Sequence, residues 1–256
     1  RHIVRRLAKD GFKLRAVMRR PNEALFLKTA GRTGQIELVQ GNIRDETSSR
    51  TALQGASAVI NAVGILYETG PQKFDAVQSA GAARLATLAA EQGIDRFIQI
   101  SAIGADAGSP SAYARSKAEG ETAILATCPQ AHVLRPSIVV GPEDDFFNRF
   151  ARMAQFAPAL PLVGGGLTRY QPVGVFDVAQ AVAACLDGAP SGIYELGGPQ
   201  VYTFRELMEL MLNKIGKRRL LVPLPFAAAG MLAQFTRFLP TPPLTPDQVI
   251  LLRSDN

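Results

Sequence analysis

The sequence predicts an α/β protein with a doubly wound parallel sheet and a small C-terminal lobe. Short apolar runs alternate with helix-length segments through the first half of the chain, which is typical of βαβ units. Crossovers between such units are right-handed, so helices cover both faces of the sheet. After about residue 140 the alternation loosens. We therefore expect a first domain over residues 1–140 and a smaller, partly interleaved lobe over residues 141–256.

The predicted elements follow one another in a regular order. Strands are predicted at residues 12–18, 36–40, 58–64, 96–101, 132–136 and 193–196. Helices are predicted at residues 1–10, 22–30, 47–54, 72–92, 111–121, 145–157, 175–187 and 203–215. Thr203 and Glu206 form a capping-box pattern at the start of the last of these helices. Residues 161–166 are rich in Pro and Gly and are predicted to form a loop.

The amino-acid composition limits the classes of protein to which this chain can belong. The 256 residues, 47% of them apolar, suffice for one large core. The sequence contains no uninterrupted run of about 18 apolar residues, so no transmembrane helix is predicted. Two cysteines without paired spacing indicate free thiols, and two histidines without a Cys/His cluster make a metal site unexpected. The net charge of +6 suits an acidic partner, an anionic membrane surface or a phosphorylated ligand. Because aromatics are sparse and the positive charges scattered, we expect no nucleic-acid binding.

The start of the chain differs from the usual start of a nucleotide-binding sheet. Such a sheet opens with a strand and a glycine-rich turn, where the first helix meets the pyrophosphate. Residues 1–10 have the pattern of the middle and end of that helix. We therefore expect the first strand and its glycines to precede Arg1, beside the 12–18 strand, and the chain to be a fragment of a longer protein. No numbered residue is then assigned to the pyrophosphate.

Tyr113 and Lys117 form the clearest candidate site. They lie four residues apart on a helical stretch that follows a buried strand, so they share one helix face. An ammonium group beside a tyrosine favours the phenolate and lowers its pKa from about 10 toward neutrality, which suits acid–base chemistry. The lysine can also hydrogen-bond a nucleotide ribose. The alternative is a half-buried aromatic beside an exposed helix charge, but the position after a strand in an alternating chain favours the site.

Residues at two strand ends are expected to meet the adenosine part of a nucleotide. Arg19 and Arg20 follow the 12–18 strand, where an arginine accommodates a 2′-phosphate, so they favour NADP(H) over NAD(H). Asn42 and Ile43 follow the next strand, where the amide can reach the adenine edge and the isoleucine its face. The alternatives are solvated arginines and a simple turn.

Later strand ends are expected to approach the rest of the cofactor. Small residues at the end of the 58–64 strand let the backbone come close, and residues from the end of the 132–136 strand onward would flank a nicotinamide. The cofactor residues assigned in this way are Ala62, Val63, Gly64, Ile100, Pro136, Ser137 and Ile138. Ser101 ends the 96–101 strand and is a weaker candidate for orienting a substrate carbonyl beside Tyr113. Each of these positions is also compatible with an ordinary strand-to-helix turn.

Together these motifs resemble the short-chain dehydrogenase/reductase superfamily in its extended or atypical form, which has a Rossmann-like fold. More narrowly, the chain resembles the dehydrogenase-like accessory subunit family of respiratory complex I, NADH:ubiquinone oxidoreductase. The matching segments are 61–64, 99–106, 113–121, 134–144, 146–150 and 170–179. One departure is that Ala102 and Ile103 follow Ser101, where active extended members usually carry a catalytic serine or threonine.

The resemblance implies a structural rather than a catalytic use of the nucleotide. It implies a tightly held NADP(H), other complex I subunits as partners, and a peripheral position on the inner face of the bacterial inner membrane, or the matrix side in mitochondria. The rival is a soluble NADPH-dependent reductase or epimerase, with Tyr113 as acid–base group and Lys117 as its electrostatic partner. A third possibility is a redox-sensing nucleotide binder without catalysis.

The C-terminal tail carries a basic cluster next to an apolar helix. The basic residues are Lys214, Lys217, Arg218 and Arg219, and the apolar ones are Phe226, Met231, Leu232, Phe235, Phe238 and Leu239. Such a combination can lie on an anionic membrane surface. The alternative, that the helix covers the C-terminal lobe, stays open.

Overall fold

The computed structural model of the chain describes residues 1–236, 239, 242 and 244–256. The strands are β1 (Leu14–Met18), β2 (Ile36–Gln40), β3 (Ala58–Asn61), β4 (Arg96–Ile100), β5 (His132–Pro136), β6 (Val139–Val140), β7 (Ala159–Val163), β8 (Arg169–Tyr170), β9 (Val173–Gly174), β10 (Gly192–Leu196), β11 (Tyr202–Thr203) and β12 (Leu220–Leu224). The helices are α1 (His2–Lys9), α2 (Glu46–Leu53), α3 (Ala80–Glu91), α4 (Ala112–Thr127), α5 (Asp145–Phe156), α6 (Val175–Leu186), α7 (Phe204–Lys214), α8 (Phe226–Thr236) and α9 (Pro246–Leu251).

The main sheet is parallel, as the alternating sequence pattern predicts. Four strands pair in the order β10-β5-β4-β3, and β1 pairs with β2 in a separate parallel group. The α/β fold class is therefore confirmed. Within the described residues the two groups share no strand pairing.

Helices cover both faces of the four-stranded sheet, because adjacent strand residues point to opposite sides. Phe97 packs with Ile124 of α4 and with residues of α2 and α3. Its neighbour Ile98 packs on the other face, with Leu7 of α1 and Val182 of α6. Helix α6 and strand β10 come from the second half of the chain, so the two halves interleave at the sheet. The domain boundary at about residue 140 stays a prediction.

The C-terminal lobe has its own core, which includes residues of α5, β7 and α7. The capping box of Thr203 and Glu206 at the start of α7 is confirmed. The predicted loop at 161–166 is wrong at its beginning, because residues 159–163 form β7, which pairs in parallel with β12. Pro161 and Pro223 lie in this two-stranded pair, where each strand has a free edge that tolerates a missing N–H group. Pro161 lies in the Pro- and Gly-rich stretch whose composition predicted the loop.

Two predicted helices differ from regular α-helices. Residues Pro21–Ala30 form a 3₁₀ segment with a non-helical break at Ala24. The predicted helix at 72–92 begins with a π-helical turn, Asp75–Ser79, before α3. Such π-helical turns are often found next to functional sites. Here the turn lies against α4, which carries Tyr113 and Lys117.

Gly120 allows α4 to approach the π-helical turn. A Cβ at Gly120 would lie 2.2 Å from the carbonyl oxygen of Gln78, whereas a Cβ at Gly230 in α8 would have no heavy atom within 4 Å. We expect Gly120→Ala to lower the free energy of unfolding by about 1–3 kcal/mol, because backbone must move. Gly230→Ala is the matched control and should raise it by about 0.5–1 kcal/mol. Urea denaturation measures both, and equal changes would contradict this account.

Candidate nucleotide-binding site

The candidate site lies at the carboxyl ends of the parallel strands, and α4 supplies its central pair. Ser111 caps this helix by accepting a hydrogen bond from the Ala114 amide at 3.2 Å. One turn apart, Tyr113 and Lys117 lie together, with the Lys117 Nζ 5.8 Å from the centre of the tyrosine ring. The ammonium also donates to the carbonyl oxygen of Ile100 at 3.4 Å. The predicted adjacency of the two side chains is thus present, but the contact is with the ring.

The pKa shifts of this pair differ from the expected ones. Burial, and then the charge of Asp247, raise the pKa of Tyr113 to about 12. Burial lowers the pKa of Lys117 to about 8, and the nearby Glu121 carboxylate opposes this shift. The expectation that Lys117 lowers the pKa of Tyr113 toward neutrality is therefore wrong, because burial disfavours the phenolate. A tyrosine with this pKa is a neutral hydrogen-bond donor at physiological pH.

Ser101 belongs to a buried polar network. Its hydroxyl donates to the Glu121 carboxylate, which also accepts from Arg135, at 2.6 Å from Nη2 and at 3.1 Å from Nε. Ser101 and Glu121 are 4% and 3% exposed, so the network replaces the water that these groups lose on folding. The hydroxyl hydrogen of Ser101 is therefore used within the core. A role in orienting a substrate beside Tyr113 stays a prediction that this contact does not support.

The loop after β3 is held against α4. A Cβ at Gly64 would lie 3.3 Å from the Lys117 Nζ and 3.5 Å from the Gln78 Oε1. Gln78 accepts from the Ile65 amide at 3.0 Å and donates to the Ser116 hydroxyl at 2.9 Å, so it joins the loop to the helix. Glycine at position 64 thus lets the loop backbone approach the lysine ammonium, as the sequence suggests for a cofactor-binding turn.

Two of the four predicted adenosine residues, Arg19 and Asn42, line one cavity of about 480 Å³, and Arg20 and Ile43 do not. Its lining residues are Arg19, Gln40, Gly41, Asn42, Asp45 and Ser48. Arg19 is exposed and has no ion pair within the described part of the chain. Arg20 instead pairs with Glu23 at 2.9 Å, outside this cavity. The Asn42 Oδ1 accepts a hydrogen bond from the Arg44 backbone amide at 3.1 Å. This contact fixes the orientation of the Asn42 side chain and therefore of its NH₂ group.

The remaining strand-end residues on this side differ in exposure. Ala62, Val63 and Gly64 are exposed after β3, beside Lys117, so a ligand can reach them. Ile43 instead packs its side chain at 3.2 Å from the Cβ position of Gly81 in α3. Its predicted contact with an adenine face stays a prediction.

The predicted nicotinamide end is in contact with the last residues of the chain. The Ser137 hydroxyl donates a hydrogen bond to the side-chain oxygen of Asn256 at 2.9 Å. The side-chain NH₂ group of Asn256 donates a hydrogen bond to the carbonyl oxygen of Ile103 at 3.3 Å. Pro136 is buried, and Ile138 packs against the core of the C-terminal lobe. The three predicted residues are thus neighbours at one strand end, and a C-terminal segment lies across it.

Asp247 of α9 caps the helix that carries the Tyr113–Lys117 pair. Its carboxylate accepts hydrogen bonds from the Ser111 hydroxyl at 2.8 Å, the Ala112 amide at 2.7 Å and the Tyr113 amide at 3.3 Å. A carboxylate is stabilised at a helix N-terminus by the free amides and the helix dipole. Residues 245–256, here called the C-terminal strap, therefore contact the site at both α4 and Ser137.

Sequence reasoning missed four residues that shape this site. Asp247 and Asn256 are far from the site in sequence, and no local pattern links them to it. Glu121 and Gln78 had weak signals. Glu121 lies four residues after Lys117 and so shares its helix face, and Gln78 is a polar residue within a predicted buried helix.

The hydrogen-bond donors of the candidate site fit a nicotinamide nucleotide. Arg19 offers an unpaired guanidinium for a phosphate, and the Lys117 ammonium lies beside exposed strand-end backbone, where a ribose hydroxyl can accept its hydrogen bond. These groups lie at the carboxyl ends of the parallel strands, which is the edge at which doubly wound sheets bind their ligands.

A comparison with protein families shows which family the chain belongs to. Residues 1–137, more than half of the chain, match the family described as NAD(P)H-binding. The chain belongs to the NAD(P)H-binding family. The family description agrees with the hydrogen-bond donors of the candidate site, which suit a nicotinamide nucleotide. The stated resemblance to dehydrogenases and to the complex I subunit family is also confirmed.

Two curated relatives illustrate the range of this family. Over 91% of its length, the NAD(P)H-binding chain is 40% identical to "NADH dehydrogenase [ubiquinone] 1 alpha subcomplex subunit 9, mitochondrial" of Arabidopsis thaliana. It covers 59% of that relative, and thus spans about three fifths of its length. It is also 30% identical to "Ceramide reductase" of Caulobacter vibrioides, over 88% of this chain and 70% of the relative.

The fold has close counterparts among solved structures. DesIV, a dTDP-glucose 4,6-dehydratase from Streptomyces venezuelae crystallised with NAD, superposes with a TM-score of 0.74. The match covers 88% of this chain and 80% of DesIV at 21% identity, which establishes the fold alone. Among the described residues of the NAD(P)H-binding chain, no helix has the length and apolarity needed to span a membrane.

Proposed function

We propose that this chain is part of an accessory subunit of respiratory complex I, in which NADP(H) is held mainly as a structural element. The observation that carries the proposal is the C-terminal strap, which contacts α4 through Asp247 and Ser137 through Asn256. A strap on the predicted nicotinamide end suits a nucleotide that stays bound. The similarity to the mitochondrial alpha subcomplex subunit 9 supports the same assignment.

The electrostatics of the pair also favour binding over turnover. A bound nicotinamide supplies or accepts a hydride, and a reductase then needs a nearby proton donor whose pKa lies near the working pH. Tyr113, with a pKa of about 12, is a weak donor of that kind. Lys117 remains mostly protonated at neutral pH and can hydrogen-bond a ribose without any chemical step.

A soluble NADPH-dependent reductase is the second candidate. The similarity to the Caulobacter ceramide reductase favours it, since the chain covers 70% of that relative. In this reading Tyr113 protonates a carbonyl oxygen while Lys117 stabilises the charge. The strap would then have to leave the nicotinamide end during each turnover.

The Tyr113→Phe variant separates the two candidates. Because the substitution removes only the hydroxyl, we expect the variant to retain NADPH and to assemble as the wild type does. The measurement uses tagged full-length protein extracted in mild detergent, separated on a native gel and assayed for NADH:quinone activity. Co-migration of wild type and variant with a large NADH-active band supports the accessory subunit. A small soluble species with carbonyl reductase activity, abolished in the variant, would refute it.

We also propose that the nucleotide is NADP(H) rather than NAD(H), on the basis of Arg19. A charge-assisted hydrogen bond to a 2′-phosphate is worth about 1.5–3 kcal/mol, so Arg19→Ala should weaken NADPH binding about 10- to 100-fold. NADH binding should change little. Arg20→Ala is the matched control, because Arg20 already pairs with Glu23 at 2.9 Å. Calorimetric titration of both nucleotides tests this, and equal losses of NADPH and NADH affinity would contradict it.

The proposed partners are other complex I subunits and an anionic membrane surface, on the matrix side in mitochondria or the cytoplasmic face in bacteria. Support comes from large apolar side chains that are exposed near the basic cluster: Phe156 is 92%, Leu220 71% and Phe235 83% exposed. Leu220 directly follows the cluster, so charge and apolar surface lie together. Phe238, which the tail pattern includes, lies outside the described residues.

A further inference from the structure

A second charged cleft lies at the amino ends of β1 and β2. Its volume is about 940 Å³. Arg5 and Lys9 come from α1, Lys13 directly precedes β1, and Arg32 comes from the loop before β2. This volume falls in the range of small-molecule sites.

The charge of this cleft is unbalanced. The lining residues include these four cations and no aspartate or glutamate. Arg5, Lys9, Lys13 and Arg32 are all exposed, and none has an ion pair or a side-chain hydrogen bond within the described ranges. Like charges around a concave surface repel one another and create a positive potential that attracts anions. A bound polyanion would remove that repulsion.

The cleft has a fixed wall. Gln35 donates to the carbonyl oxygens of Ala8 at 2.7 Å and Phe12 at 2.9 Å, and so joins the loop before β2 to the end of α1. Its Oε1 accepts from the Arg32 amide at 2.8 Å. A Cβ at Gly31 would lie 2.7 Å from that oxygen, so the loop packs closely there. The backbone that presents Arg32 is therefore positioned before any ligand binds.

This cleft is separate from the nucleotide-binding residues. Lys13 and Gln35 precede β1 and β2, whereas Arg19 and Asn42 follow them. Five-residue strands span about 16 Å, so the two groups lie at opposite edges of the strand pair. One nucleotide along the carboxyl edge does not reach the four cations.

We propose that this cleft is a second, anion-binding site that takes a ligand with several phosphate groups. Two sources supply that chemistry: a free di- or polyphosphate, and the headgroups of an anionic lipid surface. The proposal is independent of the complex I assignment, since it rests on the cleft alone. Arginine and lysine together provide bidentate and point-charge contacts to phosphate oxygens.

The test compares Lys13→Gln/Arg32→Gln with Lys28→Gln/Arg152→Gln, a control that removes the same charge from exposed cations outside the cleft. Inorganic pyrophosphate is titrated calorimetrically, and sedimentation measures binding to vesicles of phosphatidylcholine and phosphatidylglycerol in equal parts. Equal melting temperatures show that the exposed substitutions leave the fold intact.

We expect the cleft variant to lose about tenfold or more in pyrophosphate affinity, while the Lys28→Gln/Arg152→Gln control does not. Loss of vesicle binding alone in the cleft variant would also support the site and would identify lipid headgroups as the source. If neither probe distinguishes the cleft variant from the Lys28/Arg152 control, the proposal is wrong.

Discussion

Glu121→Gln is expected to lower the free energy of unfolding by about 3–5 kcal/mol, because it removes the buried carboxylate from the ion pair with Arg135. The Glu121 carboxylate accepts from Arg135 Nη2 at 2.6 Å and from the Ser101 hydroxyl, and its side chain is 4% exposed. Glutamine has nearly the same shape but presents an amide to the arginine. Urea denaturation, monitored by circular dichroism, measures the loss.

Glu195→Gln is the control for this prediction. Glu195 is the second carboxylate near Arg135, at 3.7 Å, but its side chain is 60% exposed. An exposed pair of this length contributes little, so the control should change stability by less than about 1 kcal/mol. Similar losses in the two variants would show that burial does not decide the strength of these pairs.

Lys117→Met is expected to stabilise the nucleotide-free protein and to weaken nucleotide binding. Burial lowers the pKa of Lys117 from 10.5 to about 8, which corresponds to a cost of about 3 kcal/mol for holding the charged form at neutral pH. Among the described residues, the 6% exposed side chain has the Ile100 carbonyl, at 3.4 Å, as its single hydrogen-bond partner. We expect methionine to raise the free energy of unfolding by about 1–3 kcal/mol at pH 7, and NADPH affinity to fall about tenfold or more.

The pH dependence of stability gives a second readout. Between pH 8 and 10 the unfolded lysine is protonated and the folded one is not, so wild-type stability should rise with pH in this window. The Lys117→Met variant should lack that rise. Above pH 10 the raised pKa of Tyr113 acts in the opposite direction, because the unfolded tyrosine ionises first. Lys28→Met, at an exposed position, should leave the wild-type profile unchanged.

The sequence predicts features that depend on local periodicity. The bounds of β2 and β5 agree with their predicted ranges, since a short apolar run between turn residues is a local signal. Tyr113 and Lys117 lie together because a four-residue spacing on a helix fixes their relation. Arg19 and Asn42 share a cavity because parallel strands end at the same edge.

Features that depend on distant parts of the chain were not predictable in this way. Asp247 contacts the start of α4 across 134 residues, and nothing in either segment specifies the other. The direction of the pKa shift of Tyr113 follows from burial by tertiary packing, which a local spacing does not reveal. The pairing of β7 with β12 was not predicted, because Pro161 lies in a Pro- and Gly-rich stretch whose composition predicts a loop.

The position of the C-terminal strap makes nucleotide binding and strap docking thermodynamically reciprocal. Asp247 and Asn256 contact backbone and side chains of the candidate nucleotide site. Any free energy by which a bound nucleotide orders those groups must therefore reappear, in equal amount, as tighter docking of residues 245–256. The docked or released state of those residues would then report whether the nucleotide is bound.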